Sequence, residues 1–259
     1  MGSEYGPVAG FFVLVFVFSI PFWVLGNAYP VQLLPGLPTS ALGVLAPALA
    51  ATIMAYRSGR LSAVGQLLGR SFDLVRLQNK YWFLVFVLFN PLVAVLAFWI
   101  MRAIGRSVPQ PPPFTFAIVP MFAFFFIGAL SEEIGWTGYA TESLHRRWGI
   151  PGAGLALGVV WAVFHLVVLT QANRSPGWIA WWSLGTISLR TVMIWLFRHA
   201  GKSVFAAAIF HAMINLSWQL FPINGSFYDP QIFSLATLGL AVVIFAAHRL
   251  VTRGRIVAT

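Results

Sequence analysis

The sequence predicts an all-α fold: a polytopic bundle of about eight transmembrane helices forming one integral membrane domain over residues 1–259. Two observations carry this. Of the 259 residues 59% are hydrophobic and only 8% are charged, whereas a soluble domain needs about a quarter of its residues charged to cover its surface. Apolar runs also recur at the length of a bilayer crossing, which takes about 20 helical residues.

The runs fall at 10–25, 40–56, 81–101, 114–139, 152–169, 178–197, 203–220 and 232–247. The first is similar to a secretory signal but lacks a basic leader, so it reads as an uncleaved span. The second is short, and the fourth carries Glu132 and Glu133. In the fifth, Gly154 and Gly158 are spaced for close helix packing. Between the second and third runs, Leu61, Val64, Leu67, Leu68, Phe72 and Val75 alternate with basic residues, the pattern of a helix lying on the membrane interface. Pro109, Pro111, Pro112 and Pro113 read as a stiff connector on the other side. Trp178, Trp181 and Trp182 read as an interfacial belt. Glu142 and Arg146 read as a helix-surface pair, and His145, His199 and His248 as side chains snorkelling at span ends.

Lys and Arg outnumber Asp and Glu by 16 to 6. They form no basic stripe interleaved with aromatics, so nucleic acid is excluded as a partner and anionic lipid headgroups are favoured. Twelve basic residues fall on one side of eight spans: Arg57, Arg60, Arg70, Arg76, Lys80, Arg146, Arg147, Arg198, Lys202, Arg249, Arg253 and Arg255. Arg102, Arg106 and Arg174 fall on the other. The positive-inside bias then places both termini in the cytoplasm of a cell membrane. The chain has no cysteine, so any chemistry falls to Glu, His, Asn, Ser or Thr.

Glu132, Glu133 and Arg190 lie inside apolar runs, where a charge costs about 2.5–3.5 kcal/mol on insertion scales and marks a functional residue by default. The plainer alternative is that the fourth span stops at Leu130 and leaves the acidic pair at the interface. His165 lies in the fifth run; His211 and Asn215 lie one helical turn apart in the seventh. Counted at about 1.5 Å per residue from the basic loops, these groups fall in one layer near the membrane centre. A carboxylate can take a proton from water, an imidazole can orient that water, and an amide can donate to an oxyanion, so the set suits peptide hydrolysis. The site is expected to open towards the end bearing the basic loops.

Three segments carry a resemblance: Glu132-Glu133-Ile-Gly-Trp-Thr-Gly-Tyr, Trp161-Ala-Val-Phe-His165 and His211-Ala-Met-Ile-Asn215. In that order they resemble the CPBP intramembrane proteases, the type II CAAX prenyl endopeptidases, whose bacterial members are also labelled immunity or abortive-infection proteins. The likeness spans about Leu130 to Trp218, within a core of about 114–220. It implies that Glu132 activates water, that His165 assists, that His211 and Asn215 steady the oxyanion, and that Glu133 is a secondary acid. The substrate it implies is a membrane-anchored or prenylated polypeptide, with no cofactor.

Two positions depart from the pattern. Thr137 stands where the resemblance expects arginine, and Trp161 where it expects phenylalanine, a mild aromatic exchange. Arg190 is a candidate to supply the missing charge to Glu133. Three rival readings stand beside this one. Glu132, Glu133, His165 and His211 are a conceivable zinc set, as in metalloendopeptidases; the buried charges would also suit a proton-coupled transporter; and the chain could be a non-catalytic membrane scaffold.

Overall fold

The computed structural model describes residues 6–110, 115–221, 225 and 227–257. Among the described residues eight α-helices make up the bundle: α1 (Gly6–Ala28), α2 (Ala46–Gly69), α3 (Lys80–Ala103), α4 (Ile118–Glu133), α5 (Thr141–Gln171), α6 (Pro176–Ala200), α7 (Val204–Leu220) and α8 (Pro230–Val257). Six stretches among the described residues are long and apolar enough to cross a membrane, one of which, Ile118–Gln171, joins α4 to α5; α7 is a shorter apolar helix. The protein is thus a polytopic helical membrane protein. Pro111, Pro112 and Pro113 of the expected connector lie outside the described residues.

Several helix ends are set by local chemistry. Ser175 accepts a hydrogen bond from the Trp178 amide with Pro176 following it, and Gly201 closes the same helix with a left-handed φ of 114°. Asn79 caps α3 through the Tyr81 amide, and Asp229 caps α8 through the amides of Gln231 and Ile232. The start of α7 is capped twice. Ser203 accepts from the Ala206 amide, while the carboxylate of Asp73, from the turn before α3, accepts from the Ser203 hydroxyl and from the amides of Val204 and Phe205. Free helix-end amides in a bilayer have no water to satisfy them, so these caps hold the loops to the bundle.

Boundaries differ from the sequence expectation where backbone geometry breaks a run. A 3₁₀ segment, Thr39–Leu45, precedes α2, and α2 itself breaks at Gly59 and Arg60 before running on to Gly69. Of the expected interfacial residues its last turns carry Leu61, Val64, Leu67 and Leu68, while Phe72 and Val75 fall in the 3₁₀ segment Arg70–Arg76 that follows; Leu61 is largely exposed and Leu67 is buried. The fourth run does not continue as an α-helix to Tyr139. After Glu133 the chain widens into a π-helical turn, Ile134–Ala140, and α5 is then broken at Gly149, where φ is 64°. A small antiparallel hairpin, β1 (Gln32–Leu34) with β2 (Leu37–Pro38), follows α1.

Helix α5 packs on α6, α6 on α8, and α7 on both α3 and α4. The α5–α6 contact depends on glycine. A Cβ on Gly154 would stand 2.7 Å from Thr191 Cα, and one on Gly158 2.9 Å from Ile187 Cα. In lipid, where hydrophobicity does not drive helices together, such close backbone approach is what associates them. Glu142 does not pair with Arg146: its carboxylate meets Arg198 at 2.7 Å and Lys202 at 3.6 Å, because α6 ends beside the start of α5, and Arg146 donates to Ser143 instead.

Replacing Gly154 by valine is expected to destabilise the protein by about 1–3 kcal/mol, the usual range for overpacking. Thermal unfolding in detergent checks this, with Gly177→Ala, where nothing lies within 4 Å, as the control.

Candidate active site

Glu132 and Glu133 occupy the last turn of α4, at 2% and 0% exposure. Both are buried inside the bundle, so the acidic pair is not a solvated helix end. Successive positions on a helix point about 100° apart, and the two carboxylates accordingly meet different surroundings.

Glu133 is consumed by ion pairing. Arg190, fully buried on α6, donates from one terminal nitrogen to Glu133 Oε2 at 2.7 Å and from the other to Oε1 at 2.9 Å. His211 Nδ1 donates to Oε1 at 2.9 Å, and the Thr137 hydroxyl, projected by the π-helical turn, donates to Oε2. Four helical segments therefore converge on one carboxylate. A bidentate guanidinium is the geometry that best offsets the desolvation of a buried acid.

Glu132 faces elsewhere. Its Oε2 accepts from the indole N–H of Trp136 at 3.0 Å and of Trp161 at 2.8 Å, while Oε1 has no partner among the described residues. Glu132, His165 and Asn215 line one cavity of about 330 Å³, together with Ser131, Asn90 and Trp182. His165 Nδ1 lies 2.8 Å from the Trp161 carbonyl oxygen. A carbonyl only accepts, so Nδ1 carries the proton, and in the neutral ring Nε2 keeps its lone pair.

Trp161 joins the two halves. Its indole N–H reaches Glu132, its face lies 3.9 Å beneath the Arg190 guanidinium, and its ring meets His165 and His211 at 5.4 and 4.9 Å. Phenylalanine would keep the ring contacts and lose the hydrogen bond, so the exchange is not the mild one the sequence suggests. His211 is buried and bonded to Glu133; of the two α7 residues it is Asn215 that lines the cavity.

Two residues of the cavity carry no signal used above. Asn90 donates to the Phe210 carbonyl at 3.2 Å; an asparagine before Pro91 in an apolar run was the available clue. Trp182, assigned to an interfacial belt, instead packs on the His165 ring at 5.3 Å, because α6 turns that face inward. The cavity also runs opposite to expectation: its wall includes Leu33, Gly36, Leu37, Trp218 and Tyr228, at the end of the bundle away from the basic loops. The zinc set does not fit. Glu133 is bound by both His211 and Arg190, and no three His, Cys, Asp or Glu among the described residues are grouped to hold a metal.

Fold and site together define a polytopic membrane protein with a carboxylate, an imidazole and an amide on one buried cavity. Residues 113–217 match the family model described as type II CAAX prenyl endopeptidase Rce1-like. A relative, CAAX prenyl protease 2 of Methanococcus maripaludis, is 27% identical over 244 residues, covering 85% of this chain and 87% of its own. Over residues 113–217 the chain is thus similar to the Rce1-like type II CAAX prenyl endopeptidases.

Arg190→Gln is expected to cost about 3–5 kcal/mol, because it strands a buried carboxylate. Chemical or thermal unfolding measures it. Glu133→Gln combined with Arg190→Gln is expected to cost less than the sum of the singles, and strictly additive losses would mean the pair does not couple α4 to α6.

Proposed function

We propose that the chain is an intramembrane endopeptidase that hydrolyses a peptide bond of a membrane-associated polypeptide, CAAX-type substrates included, with water activated by Glu132. Each of the eight helices is one crossing, both termini lie in the cytoplasm of the cell membrane, and the catalytic core is about residues 114–220 of a single domain. The observation that carries the reading is that Glu132, His165 and Asn215 share one buried cavity, with Glu132 Oε1 unengaged.

In this reading Glu132 Oε1 takes a proton from a water that His165 Nε2 orients by accepting its other hydrogen. The water oxygen attacks the scissile carbonyl carbon, and the negative charge moves to the carbonyl oxygen. Asn215 holds that oxyanion, and His211, one turn before it on α7 and bonded to Glu133, positions that helix. When the C–N bond breaks, the proton on Glu132 passes to the leaving amine, regenerating the carboxylate. Glu133, Arg190, Thr137 and Trp161 support the site: the first three hold α4, α6 and α7 in register, and Trp161 fixes the Glu132 carboxylate by its bond to Oε2. The similarity to a protein named CAAX prenyl protease 2 supports the substrate class.

With a quenched fluorescent CAAX-type peptide and purified protein, Glu132→Gln is expected to lower kcat by at least about 10²-fold, as for loss of a general base. Asn215→Ala is expected to lower it by about 10²–10³-fold, as for loss of an oxyanion donor. Cleavage that survives Glu132→Gln would sink the mechanism.

A further inference from the structure

We propose that the end of the bundle bearing the basic loops holds a binding site for the phosphate of an anionic phospholipid headgroup, separate from the catalytic cavity. Charge, preformed geometry and depth point to it.

A second cavity, of about 470 Å³, is walled by Arg70, Arg76 and Lys202 together with Gln66, Thr137 and Glu142, a size usual for a small-ligand pocket. The nearby acids do not neutralise its cations. The Asp73 carboxylate is committed to the start of α7, where it accepts from the Ser203 hydroxyl and from the amides of Val204 and Phe205. It meets Arg70 at 3.5 Å and Arg76 only at 3.8 Å. Glu142 lies between Arg198 at 2.7 Å and Lys202 at 3.6 Å. Four cations thus share two carboxylates, and the surplus falls on Arg76 and Lys202, whose side chains are 56% and 43% exposed. A guanidinium and an ammonium converging on one open cavity are a donor set that phosphate oxygens match.

These cations are in place before any ligand arrives. Gly201 packs so closely on the 3₁₀ segment Arg70–Arg76 that a Cβ there would collide with the Arg76 carbonyl oxygen. The Gln78 amide donates to the Ala200 carbonyl, and Arg70 reaches across to the carbonyls of Gly138 and Lys202. Lys202 itself is held at a left-handed φ of 62°, a conformation that a residue with a side chain keeps only where its surroundings impose it. Donors already fixed in this way lose little freedom on binding.

Depth assigns the phosphate to a lipid. Phe72 and Val75, in the same segment as Arg70 and Arg76, are 81% and 93% exposed. Apolar side chains so exposed beside clustered basic ones mark a segment lying at the membrane interface, where acyl chains cover them. The headgroups of that lipid layer then come level with Arg76 and Lys202, and basic pockets between helices at such a surface take anionic headgroups. Glu132, His165 and Asn215 line the other cavity and not this one, so the site stands or falls apart from the endopeptidase reading.

Thermal unfolding of the purified protein in an uncharged detergent tests the site. Short-chain phosphatidylglycerol is titrated in, with short-chain phosphatidylcholine and inorganic phosphate as comparison arms. Phosphatidylglycerol is expected to raise Tm progressively with concentration, and the other two to leave it unchanged. Arg76→Gln and Lys202→Gln are each expected to raise the phosphatidylglycerol concentration needed for a given shift by at least about tenfold, as for loss of one charged hydrogen bond. Arg57→Gln, exposed at the same end and outside the cavity, is expected to have no such effect. Each variant is compared with its own lipid-free Tm, so one that is merely less stable still reports binding. An equal shift with phosphatidylcholine, or an undiminished shift in both cavity variants, overturns the site. An equal loss in Arg57→Gln overturns it in favour of diffuse surface charge, and an equal shift with inorganic phosphate overturns the lipid as its occupant.

Discussion

The ion pair between Glu133 and Arg190 is the constraint on which the site depends. Both side chains are fully buried, and each ion taken from water costs several kcal/mol that mutual attraction only partly recovers. Such a pair is a poor source of net stability. Its value is positional, because the cost is tolerable only in one arrangement. The guanidinium must meet both carboxylate oxygens, and the His211 imidazole and Thr137 hydroxyl must fill the remaining acceptor sites. Any rotation of α4, or sliding of α6 or α7, would strand a charge. One carboxylate thereby fixes the mutual register of three helices, and with it the placement of the neighbouring Glu132.

Adjacent residues of one type thus come to do different things. Glu133 spends its acceptor capacity on protein donors, which leaves it no free lone pair for a substrate. Glu132 is held by two indole N–H groups, both on Oε2. Indoles are neutral donors, so they fix the orientation of the carboxylate without cancelling its charge, whereas an arginine in their place would hold it as a spent anion. Trp136 and Thr137 each stand four residues after the carboxylate they bond, Glu132 and Glu133 respectively, within the π-helical turn that follows Glu133. Wide turns of this kind recur at functional sites.

Much of this was legible in the sequence. Hydropathy and composition specify a membrane helix bundle directly, since a bilayer imposes a fixed length on each apolar run. Glu132, Glu133, His165, Arg190, His211 and Asn215 stood out because a polar group in an apolar run is costly. Other features were illegible for a physical reason. The breaks at Gly59 and Gly149 and the widened turn at Ile134–Ala140 are backbone events that hydropathy does not register. Depths counted along the chain from the basic loops pass through these breaks and so do not report which way the cavity opens. Trp182 looked like one more interfacial indole because composition does not tell which face of α6 turns inward, and the role of Asp73 as a cap for α7 joins residues 131 positions apart.

The two departures from the family pattern are best understood together. Arginine at position 137 would approach Glu133 from its own helix, one turn on; here threonine at that position supplies a hydroxyl, and the cation arrives from α6. An arginine on α6 must cross the space between α5 and α4, and it does so over the face of Trp161. Of the aromatic side chains, indole attracts a cation most strongly, and it alone also brings an N–H able to reach Glu132. Trp161 therefore suits a site whose arginine has moved, and Thr137 is not the loss of a charge but its relocation. The charge on Glu133 is balanced either way. What changes is that the balancing cation now ties α6 to the site, and α6 is the helix that also carries Trp182 to the His165 ring.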